Sequence, residues 1–238
     1  RPDSETLTVV SMNLMYGRAS AQVVQELLST IKPEVIFIQE YTPESERTLA
    51  PVLASRYRFS SRHPRDDAFG QAVFSSIEFA EPVKDVPPGF GEPQMLARVR
   101  VGGRVVNLLN VHVLPPIGLT YAMEQRRQTW QLSRLVARLR TANPEEAVIV
   151  AGDLNCTPRG HHVEAMLASG LNDAWAEVGS GPGLTWTAIG PLRFLPGFRL
   201  DHVLYGGPAR PLGAGVGEPM GSDHLATWAK FEVLRPTK

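Results

Sequence analysis

Short apolar runs rich in β-branched residues recur along the whole chain: Leu7–Val10, Val35–Ile38, Ala72–Phe74, Leu96–Val101, Val105–Val111, Ala147–Ala151, His202–Tyr205 and Leu225–Val233. Several are continuous and bounded by turn residues, as strands buried on both faces are. Helical stretches lie between them. Residues 20–31 place apolar side chains at 23, 24, 27, 28 and 31, an amphipathic spacing with Ser20 as N-cap and Pro33 as the stop. Tyr121–Arg140 predicts a longer helix, with Trp130, Leu132, Leu135, Val136 and Leu139 on its apolar side and arginines on the other. His161–Ala168 predicts a short third helix.

Strands and helices interleave, but not as a strict βαβ repeat. Val73 to Val111 reads as consecutive strands with little helix between them, which favours mixed sheets over a fully parallel doubly wound fold. Two packed sheets with helices outside use about this many strands. There is no internal repeat and no linker, so residues 1–238 read as a single domain. Glu81–Pro93 and Val178–Phe198 read as long loops.

At 238 residues the chain can bury a sizeable core, and 43% hydrophobic with 20% charged residues describes a soluble globular protein. The 24 basic and 24 acidic residues cancel, so overall charge gives no argument for a nucleic-acid partner. The single cysteine, Cys156, excludes an intrachain disulfide and reads as a packed side chain. No apolar run approaches the roughly 18 residues needed to cross a membrane. The chain begins Arg1-Pro2, which predicts an upstream segment, a signal or an anchor, in the full reading frame. A start codon immediately before Arg1 would sink that expectation.

Polar chemistry gathers at the ends of the apolar runs. Asn13, Glu40, His112 and Asp153 directly follow them, and Asp201 and Asp223 precede them. If the strands run in suitable directions, all six meet at one rim. A carboxylate beside a core strand such as Ala147–Ala151 is costly unless paired or metal-bound. Carboxylate and carboxamide oxygens suit Mg²⁺ or Mn²⁺, hard cations that keep several waters and need few protein ligands. Glu40 is the leading ligand, with Asn13 or Asp223 beside it. Glu40 equally fits a carboxylate opening a helix over Thr42–Thr48. Asp153 and Asn155 are two apart, a spacing that points strand side chains the same way. Such a pair can take a proton from a water and hold that water in line. Alone, Gly152-Asp153-Leu154-Asn155 is also an ordinary turn. His224 can reach a phosphate while Asp201 orients its other nitrogen. His202, next to Asp201 on a strand, should face the opposite side and reads as structural, as do His63, His161 and His162.

These fragments, in this order, resemble the endonuclease/exonuclease/phosphatase superfamily, with the deoxyribonuclease I-like fold. The marks are Met12-Asn13, Gln39-Glu40, Asn110-Val111-His112, Gly152-Asp153-Leu154-Asn155, Thr185-Trp186, Arg199-Leu200-Asp201-His202 and Ser222-Asp223-His224. They span about residues 6 to 233. The resemblance implies a four-layered α/β sandwich, two mixed β-sheets packed face to face with helices outside, and a divalent-metal-dependent phosphoesterase. It implies Asn13, Glu40 and Asp223 at the metal, Mg²⁺ or Mn²⁺. It implies His112, Asp153, Asn155, Asp201 and His224 as the catalytic set, with either Asp153 or the histidine pair as the acid–base machinery. His112 stands where abasic-site endonucleases carry tyrosine, and Ser76 where a family strand often ends in arginine, which puts a distal phosphate contact in doubt.

The leaving group must be argued from the loops. Arg56-Tyr57-Arg58 through Arg62-His63-Pro64-Arg65 fits a phosphate-backbone track, but a solvated edge strand is the favoured reading. Arg126 or Arg127 is within reach of His112 as a phosphate clamp. Pro191–Phe198, if exposed, is a membrane or lipid contact; if buried, it is core. The leading expectation is therefore a monomeric hydrolase of a small or lipid-linked phosphate ester. A deoxyribonuclease-like nuclease is second and a non-catalytic binding module third; a nucleic-acid partner is not favoured.

Overall fold

The computed structural model describes residues 6–86, 94–187 and 197–235. In chain order the elements are β1 (Thr6–Asn13), α1 (Ala21–Ile31), β2 (Val35–Gln39), α2 (Pro43–Ala54), β3 (Phe59–His63), β4 (Gln71–Ser75), β5 (Lys84–Val86) and β6 (Gln94–Val101). They continue with β7 (Arg104–His112), α3 (Gly118–Ala142), β8 (Ala147–Asp153), α4 (His161–Ala168), β9 (Asn172–Asp173), α5 (Ala174–Val178), β10 (Asp201–Gly206), β11 (Ala209–Val216) and β12 (Thr227–Val233).

The strands form two six-stranded sheets, ordered β11-β12-β1-β2-β4-β3 and β5-β6-β7-β8-β10-β9. Each is mixed: β1 runs parallel to β2 and β7 to β8, and the remaining pairs are antiparallel. The expected two mixed sheets with helices outside are thus present.

Burial explains why the central strands lack an alternating pattern. In β2, Val35 and Phe37 enter the core between the sheets, and Ile36 and Ile38 enter a second core under α1 and α2. In β8, Ala147, Ile149 and Ala151 face the inter-sheet core, and Val148 and Val150 face a third core under α3 and α4. Both faces of these strands are covered, so every position before the polar ends at Gln39 and Asp153 is non-polar. Three cores between four layers follow directly.

Several expectations need correction. The long helix spans Gly118–Ala142, three residues earlier at its start than the periodicity indicates. Trp130 is 55% exposed, so it sits on the outer face and not with Leu132 and Val136. That inner face is completed by buried Gln125, Gln128 and Thr129, polar residues that hold backbone. Gln128 Oε1 accepts from Leu114 N, and Gln125 Nε2 donates to Asn155 O. Glu81–Pro93 is not wholly loop, because β5 pairs with β6 at 84–86; residues 87–93 lie outside the described ones.

Edge strand β3 matches the solvated-edge reading of the arginine-rich segment. Arg62 pairs with Glu46 and Arg65 with Asp67, while Arg56 lies over the Tyr57 ring. Ser76 follows the Ser75 end of β4, opposite Val35, so it lies at the far end of the sheet from Gln39 and Glu40. A residue there has no bearing on a phosphate at the Glu40 rim.

Candidate active site

The topology brings the polar strand ends to one rim. Parallel pairing aligns Asn13 with Gln39 in one sheet and His112 with Asp153 in the other. Antiparallel β10 sets Asp201 opposite Asp153, and the segment entering β12 carries His224 to the Asn13 end. The two sheets meet where Asn13 Nδ2 donates to Asp153 Oδ2 at 3.2 Å.

A polar layer lies beneath this meeting point. Gln39 Nε2 donates to Asn110 Oδ1 at 2.6 Å, and Asn110 Nδ2 donates to the carbonyls of Ile38 and Ala72 across the inter-sheet gap. Gln94 accepts from His112 N and donates to His112 O, clamping that backbone. Satisfied buried amides of this kind fix the relative register of the sheets.

Asp153 Oδ2 is the focus of the site. Asn13 Nδ2 and Asn155 Nδ2 each donate to it at 3.2 Å. The Nε2 atoms of His112 and His224 each lie 3.7 Å from it, too far for a hydrogen bond. Asp153 and Asn155 come together as their spacing suggests, but through a turn. The strand ends at Asp153, Asn155 takes φ +46°, and Asn155 N donates to Asp153 Oδ1 at 2.7 Å. Gly152 makes the approach feasible: a Cβ there would stand 1.8 Å from Val111 O.

His224 is held by both of its flanks. Its Nδ1 pairs with Asp201 Oδ2 at 2.8 Å, and its backbone N–H donates to Ser222 Oγ, which itself donates to Asn13 O. Thr185 Oγ1 accepts from the backbone N–H groups of Leu200 and Asp201, fixing the start of β10. His202 faces away, with Nε2 against Cys156 O at 2.8 Å.

Glu40 sits just past β2 with φ +54°, a left-handed conformation that costs a non-glycine residue about 1 kcal/mol or more. Its carboxylate accepts from Asn13 Nδ2 at 3.0 Å and from Tyr16 N at 2.9 Å. The helix that follows is capped instead by Thr42, whose Oγ1 accepts from Ser45 N. Glu40 is thus held toward Asn13 and away from the helix start. Asp223 reaches the same cleft and accepts from Trp186 Nε1 at 3.1 Å.

The electrostatics divide the groups. Burial lifts Asp153 to about 6, with Asp201 adding to the rise and the two histidines opposing it. Burial opposes charge on His224, but Asp201 and Asp153 outweigh it and raise its pKa to about 10. Burial lowers His112. Burial pushes Asp201 up, but His224 prevails and holds it below the usual carboxylate range. Burial raises Glu40. At neutral pH the site therefore holds a neutral His112 and an imidazolium at His224 paired with an ionised Asp201.

The cleft above these groups encloses about 570 Å³ and is lined by Glu40, Asp67, Asp153 and Asp223 with His112 and His224, and by Tyr16, Phe69, Ile117, Tyr121 and Trp186. Among the described residues no lysine or arginine lines it. A cleft with several oxygen donors, two of them hard to keep ionised because of burial, fits a hard divalent cation. Asp153, Asp201 and His224 also present ligand atoms within 4.8 Å of one another. In that trio His224 Nδ1 is already engaged with Asp201, and Asp201 does not line the cleft, whereas Glu40 and Asp223 do.

All eight expected site residues therefore lie at this rim. Residues that sequence reasoning passed over are Phe69, whose ring is 5.8 Å from that of His112, Tyr16 and Gln94. Trp186 was visible only as part of a motif; it stacks on Phe198 at 6.0 Å, and Phe198 is half exposed. The rest of the Pro191–Phe198 segment, through residue 196, lies outside the described residues. Neither Arg126 nor Arg127 lines the cleft: Arg127 pairs with Glu124, and Arg126 faces a groove between α3 and α4.

The model of the Endonuclease/Exonuclease/phosphatase family matches residues 10–224. Truncated TDP2 from Caenorhabditis elegans is similar in structure, with TM-score 0.78 and 20% identity over 98% of this chain and 100% of that one. TDP2 from D. rerio, complexed with a single-strand DNA product, superimposes with TM-score 0.75 and 20% identity over 95% and 98% of the two chains. An endonuclease/exonuclease/phosphatase from Beutenbergia cavernae gives TM-score 0.70 and 18% identity over 96% and 72%. No curated protein matches in sequence. At these identities the structural likeness establishes a common fold.

Proposed function

The chain belongs to the endonuclease/exonuclease/phosphatase family, whose members hydrolyse phosphate esters, and from that premise we propose a Mg²⁺- or Mn²⁺-dependent phosphoesterase acting on a small or lipid-linked phosphate ester. The observation that carries the reading is the convergence of two amides and two imidazoles on Asp153 Oδ2.

Glu40 and Asp223 would hold the cation, which, when bound, would supply Lewis-acid stabilisation of charge on the phosphoryl oxygens. Asn13 uses its Nδ2 to tie Glu40 to Asp153, and its Oδ1 accepts from Met15 N, so it positions both carboxylates. Asp153, held by Asn13 and Asn155, takes a proton from the attacking water; a carboxylate with a pKa near 6 is well matched to that task. His224 donates from Nε2 to a phosphoryl oxygen while Asp201 keeps it charged. His112, neutral, is set to accept a hydrogen bond or donate one on the other side of the same gap. This favours Asp153 over the histidine pair as general base.

A nuclease reading is second. It draws on the DNA product held by the D. rerio relative, and it is opposed by the absence of lysine or arginine among the described cleft-lining residues. The test is hydrolysis of bis-p-nitrophenyl phosphate, p-nitrophenyl phosphate and plasmid DNA with Mg²⁺, Mn²⁺ or EDTA, beside Glu40→Ala. Metal-dependent turnover of a small ester, lost in the variant, supports the proposal. Turnover of DNA alone favours the nuclease, and turnover indifferent to EDTA sinks the metal role.

A further inference from the structure

The chain leaves β1 through a strained turn. Met15, Tyr16 and Gly17 take φ values of +47°, +55° and +77° in succession. Glycine suits that region, and Gly17 packs against the start of α2, where an added Cβ would stand 2.7 Å from Thr42 Oγ1. Met15 and Tyr16 carry a Cβ, and for them a left-handed backbone is strained. The surroundings hold it in place. Met15 N donates to Asn13 Oδ1 and Tyr16 N to Glu40 Oε2, each at 2.9 Å, and Arg18 N closes the turn onto Leu14 O at 3.0 Å.

The backbone of this turn therefore serves Asn13 and Glu40. That service needs no tyrosine, because glycine or asparagine would supply the same N–H with less strain. The Tyr16 side chain does not serve the fold either. It is 56% exposed and forms no hydrogen bond, ion pair or ring stack among the described residues.

What the side chain faces is the cleft. Tyr16 lines it together with Tyr121, which is 44% exposed near the start of α3, and with Asp67. Burial raises the pKa of the Tyr16 phenol, and Glu40, Asp67 and Tyr121 are close enough to add to the rise, so its hydroxyl stays a donor at neutral pH. Rings and carboxylates thus surround Tyr16. Arg65 binds both oxygens of Asp67 but does not line the cleft, and no other described lysine or arginine lines it. A second anionic group on the substrate would lose water here and meet no cation of the protein. An uncharged group would cover the two rings and bury apolar surface.

We infer that Tyr16 is a specificity-determining residue: with Tyr121 it receives the second group esterified to the scissile phosphate, and it selects an uncharged group over an anionic one. This rests on the phosphoesterase reading above and names its substrate class, diesters whose second group is uncharged.

The test compares p-nitrophenyl propyl phosphate with p-nitrophenyl 2-carboxyethyl phosphate, which share a leaving group and differ by one charge in a group of similar size. The wild type should favour the propyl ester by about tenfold or more in kcat/KM. Tyr16→Ala should lower the ratio of kcat/KM for the propyl ester to that for p-nitrophenyl phosphate by about tenfold, the loss expected when one ring contact is removed. Tyr16→Phe should keep most of that ratio. Tyr16→Gly, which suits the backbone, should melt no lower than the wild type. Three results would overturn the inference: equal use of the two esters, an unchanged ratio in Tyr16→Ala, or a clear loss of stability in Tyr16→Gly, which would return the side chain to the fold. Calorimetry of propyl phosphate and 2-carboxyethyl phosphate with Mg²⁺, in wild type and Tyr16→Ala, reads the same contact without turnover. A protein that hydrolyses neither ester therefore sinks the hydrolase reading alone, and binding then decides the role of Tyr16: weaker binding of propyl phosphate in Tyr16→Ala supports it, and equal binding removes it.

Discussion

Asp201 Oδ2 and His224 Nδ1 are 2.8 Å apart and both side chains are buried, and this pairing sets the charge on the imidazole that faces Asp153. Asp201→Asn keeps the shape of the contact and removes its charge. Against the desolvation of a buried ring, His224 should then fall from its raised pKa of about 10 toward or below its ordinary value. An NMR titration of the metal-free protein reads this directly. Turnover at neutral pH should fall on the order of 10²–10⁴-fold, with the melting temperature much less affected. A His224 that titrates unchanged in Asp201→Asn would show that the pairing does not control its charge.

Glu40 combines a left-handed backbone with a largely buried carboxylate that, among the described residues, no lysine or arginine pairs with. Glu40→Gln should abolish metal-dependent turnover and weaken Mg²⁺ binding by calorimetry. Glu40→Gly should do the same and also relieve the backbone, raising stability by about 1 kcal/mol less whatever its lost hydrogen bonds contribute. Chelation of the wild type should mimic the loss of activity reversibly. Equal Mg²⁺ affinity in wild type and Glu40→Gln would remove Glu40 from the metal.

The rim was legible in the sequence because each site residue adjoins an apolar run whose burial is itself legible. Asp153 after Ala147–Ala151 is an expense that a core strand bears only for a reason. Residues whose roles depend on distant chain segments were not legible. Phe69 meets His112 across 43 positions, and nothing local marks it. Helical periodicity places Trp130 on the apolar side because it presumes an apolar inner face, whereas α3 uses Gln125, Gln128 and Thr129 there, two of them to hold the backbone around the site. Strand β11 escaped because Pro211-Leu212-Gly213-Ala214-Gly215 has the composition of a loop. As an edge strand with an irregularity between Pro211 and Gly213, it tolerates residues that a central strand would not.

Gly152 of β8 pairs with Val111 of β7 next to the site. Gly152→Ala places a methyl group 1.8 Å from Val111 O, at a φ of +151° that side chains rarely adopt. The carbonyl belongs to a central strand and cannot swing aside. The substitution should cost several kcal/mol, visible as a lower denaturant midpoint. A loss under about 1 kcal/mol would mean that the strand pair relaxes far more readily than its packing indicates.

Asp153 should reveal a conflict between activity and stability. Its folded pKa of about 6 lies above its ordinary value of 3.8, because burial and Asp201 disfavour its charge. The sign follows from linkage: the protonated form stabilises the fold fully below pH 3.8, and that contribution is lost as pH rises through about 6. Above that range the metal-free protein carries an ionised carboxylate at a net cost on the order of 3 kcal/mol, the bonds from Asn155 already included. Asp153→Asn keeps the size and removes the charge. At pH 8 without metal it should raise the melting temperature by a few degrees while abolishing turnover. At pH 4 the gain should vanish, since the wild type is then protonated too. A variant stabilised equally at both values would show that the gain comes from packing, and a destabilised one at pH 8 that the amides and histidines around Asp153 need its charge more than burial opposes it.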